Sequence, residues 1–99
     1  MWEILVPCRL PTGRLIAPKT HRIWDDFVRK QCDGLTLLKT AKGQWIHPVS
    51  KKVIDEKMIP VRIVCNEMTL KLIADFTREF YSQHTVLAYS VSETVRFFS

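Results

Sequence analysis

Trp2, Ile4, Val6 and Cys8 alternate with Glu3 and Leu5, so the opening segment sets an apolar row against a mixed row on an extended chain. Pro7 lacks an amide donor, so it ends this strand or leaves it without a neighbour on one side. Pro11, Gly13 and Pro18 punctuate the loop that follows. From Thr20 the period changes. Ile23, Trp24, Phe27 and Val28 recur at helical spacing, with Arg22, Asp25, Asp26, Arg29 and Lys30 opposite; Thr20 is the expected cap and Gly34 the expected stop.

Leu35–Thr40 then reads as a strand, Ala41-Lys42-Gly43 as a turn, Gln44–His47 as a second short strand and Pro48–Lys52 as a loop. Met58–Cys65 alternates Ile59, Val61, Ile63 and Cys65 against Pro60, Arg62 and Val64. Asn66 is the expected cap of a second helix, whose stripe is Leu72, Ile73, Phe76 and Phe80, opposite Lys71, Asp75 and Arg78. Thr85–Val91 and Thr94–Phe98 read as two closing strands joined by a Ser92-Glu93 turn. This order predicts one α+β domain over residues 1–99. It is a ferredoxin-like βαββαβ sandwich, with a mainly antiparallel sheet, two helices on one face and an extra C-terminal strand. Right-handed crossovers place the first and third main strands at the centre.

Composition adds two things. At 46% hydrophobic residues the chain is globular, but so short a chain buries a small core, and association with another copy is the expectation, a dimer above other forms. No segment reaches the roughly 18 apolar residues of a membrane crossing, and the apolar start lacks the basic region of a secretory signal. Cys8, Cys32 and Cys65 are odd in number and widely spaced, which predicts reduced thiols in a cytoplasmic protein and neither a disulfide framework nor a zinc site. Charge is uneven: eleven Lys and Arg against six Asp and Glu through Lys57, then four of each. Lys39, Lys42, Lys51 and Lys52 lie in a stretch without an acid, which is either a solvated face or a contact for an anionic partner.

Convergent chemistry is hard to find. Asp25 and Asp26 diverge by about 100° on a helix, and Asp55 and Glu56 point to opposite faces of an extended chain. His21 and Asp25 lie four apart, a spacing that can bind a metal, share a proton or stabilise a helix turn, and His84 follows the second helix. Gly13, Gly34 and Gly43 are isolated, with no phosphate-cradle spacing, and no cofactor or metal is called for. The sheet face away from the helices is expected to show Leu5, Pro60, Arg62 and Val64. Without an aromatic it does not suit base stacking, and Leu5, Arg62 and Val64 are candidates for an oligomer interface. Trp45 is the tryptophan without a core assignment. It either covers the edge of the core or joins His21 and His84 as a candidate ligand or partner contact.

An opening strand ending in Val6-Pro7, then Gly34-Leu35-Thr36, Gly43-Gln44-Trp45 and a charged segment around Asp55, resembles a loose group of small uncharacterised bacterial ferredoxin-like proteins. The resemblance implies that fold over most of the chain and an origin in bacterial mobile gene cassettes, and it carries no activity. Among other holders of the architecture, a Cas2-like nuclease wants an acid at the end of the first strand, where Pro7-Cys8-Arg9 stands. A HUH-type transposase wants a histidine pair that is missing, and the ligand loops of PII-like and CutA-like trimers are not matched. Three functions remain as expectations: a non-enzymatic homo-oligomeric interaction module first, a nucleic-acid-associated protein using its lysines second, and a small enzyme of the dimeric α+β barrel type third.

Overall fold

In the computed structural model, which describes residues 1–99, the chain runs β1 (Trp2–Pro7), α1 (Pro18–Gln31), β2 (Gly34–Leu37), β3 (Ala41–Ile46), β4 (Val53–Val64), α2 (Glu67–Phe80) and β5 (Ala88–Ser90). The sheet is antiparallel throughout and ordered β2-β4-β1-β5, so the two strands expected at the centre are there. It is the ferredoxin-like α+β fold.

One face of β1 and β4 is apolar because the alternation demands it. Ile4, Val6, Val61 and Ile63 are buried there against Trp24 and Val28 of α1 and Leu70 and Ile73 of α2. The indole of Trp24 donates to Thr77 Oγ1 at 2.9 Å, and that hydroxyl donates to the Ile73 carbonyl at 2.6 Å. The two polar atoms in this packed layer thus satisfy each other, as buried polar groups must.

Several boundaries differ from the sequence reading, each for a physical reason. Helix α1 begins at Pro18, whose fixed φ and missing amide suit a first turn, so Thr20 lies inside the helix and the N-cap, Ala17, makes no side-chain cap bond. Ile23 is 54% exposed, and Trp24 and Val28 carry the buried stripe. The helix ends through extended Cys32, and Gly34 starts β2 instead of acting as a left-handed stop. Asn66 does cap α2, its Oδ1 accepting from the Thr69 amide at 2.8 Å. The buried stripe there is Leu70, Ile73 and Thr77, one step round from the expected one, and Leu72 faces solvent.

The larger correction concerns the strand pair. Ala41-Lys42-Gly43 is no turn: β2 and β3 both lie on the same edge of β4, opposite its Val61–Val64 and Val53–Met58 halves. The hairpin is β3–β4, turning at His47–Lys52, where His47 Nδ1 accepts from the Val49 and Ser50 amides. β4 is therefore twelve residues long, and its outer half projects with β3 as a two-stranded arm, giving a longest dimension of 49 Å. The expected extra C-terminal strand is also not formed. After the three-residue β5 the chain bends around Met1, whose carbonyl accepts from the Val91 and Ser92 amides, and Thr94–Phe98 pairs with no strand.

Candidate functional site

Residues 54, 56 and 58 of β4 point to the sheet face that the helices leave bare, and the β3 register brings Trp45 opposite Ile54 and Gly43 opposite Glu56. Met58 is buried on this side because Gly43 has no side chain: a methyl at Gly43 would collide with the Met58 Cε. β1 stops at Pro7, opposite Met58, and turns away, with the Ile16 amide donating to the Cys8 carbonyl at 3.0 Å. A slot is left between the arm, the Arg9–Gly13 loop and the segment 83–87. It forms two connected hollows sharing Ile54, Glu56, Gln83 and His84. One, of about 590 Å³, is walled by Leu5, Trp45, Met58 and Leu87; the other, of about 870 Å³, by Arg9, Lys42, Asp55 and Lys57.

The charges divide in the same way. Lys42 stands opposite Lys57 across β3–β4, and Asp55 relieves the repulsion, 3.7 Å from Lys42 Nζ and accepting from Gln44 Nε2 at 2.9 Å. Glu56 makes neither an ion pair nor a side-chain hydrogen bond within the chain, although it lines both hollows. Gln83 donates from Nε2 to the Tyr81 carbonyl at 3.0 Å, closing the end of α2 where the slot begins.

The structure therefore brings Trp45, His84 and Leu5 together at one slot, with Lys42 beside it. Lys39 lies at the break between β2 and β3, and Lys51 and Lys52 at the tip of the arm, so the four lysines spread along one projection instead of forming a patch. Arg62 and Val64 lie further along the bare face. There Glu3, only 8% exposed, accepts from Arg62 Nε at 3.1 Å and from the Tyr89 hydroxyl. Donation to that carboxylate pushes the Tyr89 phenol up from its ordinary range.

His21 is elsewhere. Its Nδ1 is 2.7 Å from the buried Tyr81 hydroxyl, under α1, and it lines a separate groove of about 260 Å³ with Asp25, Leu37 and Ile59. Burial lowers the His21 pKa and raises that of Tyr81, which favours the neutral form of both partners in this hydrogen bond. Burial also raises all three thiols, Cys8, Cys32 and Cys65, which keeps them protonated and weakly nucleophilic. No three His, Cys, Asp or Glu side chains converge as a metal site would require.

Sequence reasoning passed over Glu56, Met58 and Gln83. The parity of Glu56 in a strand running back from Met58 was available as a signal. For Gln83, past the end of a helix, there was none.

No protein-family model matches the chain, and no curated protein matches it in sequence. Among solved structures it is similar to a phage SAM lyase in complex with S-methyl-5'-thioadenosine, at 13% identity over 88% of this chain and 75% of that one, with a TM-score of 0.63. It is also similar to the divalent cation tolerance protein CutA1 from Thermus thermophilus, at 8% identity over 95% of this chain and 84% of that one, with a TM-score of 0.62. At such identities the likeness establishes the fold alone. The two proteins carry unrelated names, so the fold does not choose between functions. No helix of the chain is long and apolar enough to cross a membrane.

Proposed function

We propose that this protein is a non-enzymatic binding and interaction module that works as a homo-oligomer assembled through its sheet. The observation that carries this reading is the arm. Ile46, Val49, Val53 and Ile54 are exposed on a projection with no helix packed on it, and Trp45 is 41% exposed beside them. Trp45 and Ile54 lie on one face of the arm and Ile46 and Val53 on the other; apolar side chains left bare on both faces of a projection mark a contact site, and covering them with a second copy is the commonest solution. The ionisable groups support the non-catalytic part: His21 is engaged by a buried tyrosine and the thiols are held protonated. Molar mass by analytical ultracentrifugation at tens of micromolar tests the reading. A multimer is expected; a monomer overturns it.

A second reading rests on one observation. Lys39, Lys51 and Lys52 are exposed and hold no ion pair, only Lys42 being engaged by a carboxylate. In that reading the arm grips a nucleic-acid backbone. Binding then weakens steeply as salt rises, and absence of binding to DNA and RNA at low ionic strength removes it.

A further inference from the structure

The slot has the form of an unfilled strand position. In the sheet β1 lies between β4 and β5, and the Leu5 amide still donates to the Leu87 carbonyl at 3.1 Å. Beyond Pro7 the position of β1 is vacated. The outer half of β4, Val53–Lys57, then has β3 on one edge and, apart from the Cys8 amide donating to the Lys57 carbonyl at 3.4 Å, no strand on the other. Two interstrand steps, together about 9.6 Å, separate β4 from the line of 83–87, which is the width that one further strand occupies.

The same chain carries a strand-forming segment without a partner. Thr94-Val95-Arg96-Phe97-Phe98 has the β-branched and aromatic composition of a strand, yet it is unpaired, with Phe97 75% and Phe98 90% exposed. It cannot fill its own slot. Ser92 is tied to Met1 at one end of the sheet, and the slot lies past Pro7 at the other. From Met1 to the level of Asp55 the sheet spans roughly 30 Å, whereas the four residues from Ser92 to Arg96 reach at most about 14 Å.

We propose that Thr94–Phe98 of a second copy enters this slot and pairs with the free edge of β4, so that each protomer's slot is completed by its partner. The proposal rests on the reading that the protein is a homo-oligomer and names how the copies engage. Free edge amides and carbonyls supply the pairing, in the manner of strand addition. Alternation then puts Val95 and Phe97 on the side of Trp45, Ile54 and Met58, and Arg96 on the side of Asp55. Five residues match the length of the exposed edge, Val53–Lys57.

Two measurements test it. In the first, a photo-crosslinking benzoylphenylalanine replaces Phe97 and the protein is mixed with isotopically heavy wild type. Light-to-heavy crosslinks to the β4 segment 53–58 are expected; crosslinks confined to one chain, or none to β4, overturn the proposal. In the second, Phe97→Asp with Phe98→Asp raises the self-dissociation constant by at least about tenfold, as removal of an interface anchor does. The far-ultraviolet spectrum and melting temperature of the dilute protein stay unchanged, because both side chains lie outside the core. A variant that associates as tightly as wild type overturns this inference and leaves the homo-oligomer standing. A monomeric wild type overturns both.

Discussion

Strand β4 is continuous from Val53 to Val64, yet its two halves meet different physical circumstances. From Met58 to Val64 it has a neighbour on each edge and helices on one face, and Val61 and Ile63 are fully buried. From Val53 to Lys57 it has β3 on one side, no helix, and side chains that are all exposed except the partly covered Glu56. The inner half holds the fold together. The outer half leaves two apolar side chains, Val53 and Ile54, bare ahead of the charged Asp55-Glu56-Lys57, and in the proposed assembly a second copy covers them. The halves differ both in hydrophobic content and in the number of covered edges and faces.

The largest expected effect tests that division directly. Trp24 is 1% exposed, so Trp24→Ala should cost about 3–5 kcal/mol in urea denaturation of the dilute protein. Ile54→Ala, at 44% exposure, should fall within about 0.5 kcal/mol under the same conditions, while weakening self-association. Comparable losses of monomer stability would mean that the arm is part of the folding core and would end the comparison.

How far the sequence alone reached follows the same line. The alternation in Trp2–Val6 and Ile59–Cys65 and the helical stripe through Trp24 and Val28 were legible, because covered faces impose periodicity on sequence. They carried the fold and the central strand pair. The arm was not legible: Ala41-Lys42-Gly43 has turn composition, and nothing local says that it lies along β4. Thr94–Phe98 reads as a strand on propensity, but it pairs with no edge of its own protomer, the neighbouring outer edge of β5 included. Trp45, His84 and Leu5 were each picked out for separate reasons. Their meeting at one slot depends on where β1 stops, which is a property of the folded sheet.

Tyr81→Phe removes the hydroxyl hydrogen-bonded to His21 and should cost about 1 kcal/mol. The pH dependence has a definite sign. The folded His21 pKa is depressed by burial, so the unfolded chain takes up the proton first. Its contribution to stability is complete above the ordinary imidazole value and is lost as pH falls through that value toward the folded one. Asp25 works the other way and lower, since burial raises its pKa and the folded state takes up that proton more readily. Denaturation midpoints between pH 7.5 and pH 5.5, a window bracketing the imidazole value of about 6.5, should fall in wild type and flatten in His21→Gln. An unchanged slope in that variant would place the proton uptake elsewhere.

The smallest effect on stability is the most informative about the slot. Gly43 has an ordinary backbone, with no positive φ to protect, so its only demand is space. A methyl there meets the far end of the Met58 side chain, which is flexible and can swing aside. Gly43→Ala should therefore change the stability of the dilute protein by no more than about 0.5 kcal/mol. The cost falls instead on the slot, because the displaced Met58 Cε moves into the wall shared with Trp45 and Leu5. Self-association measured by ultracentrifugation should weaken severalfold, and Gly43→Ala combined with Met58→Ala should recover part of the loss by restoring room. If Gly43→Ala destabilised the monomer and left association unchanged, Gly43 and Met58 would belong to the packing of the body, and the boundary between body and arm would move outward along β4.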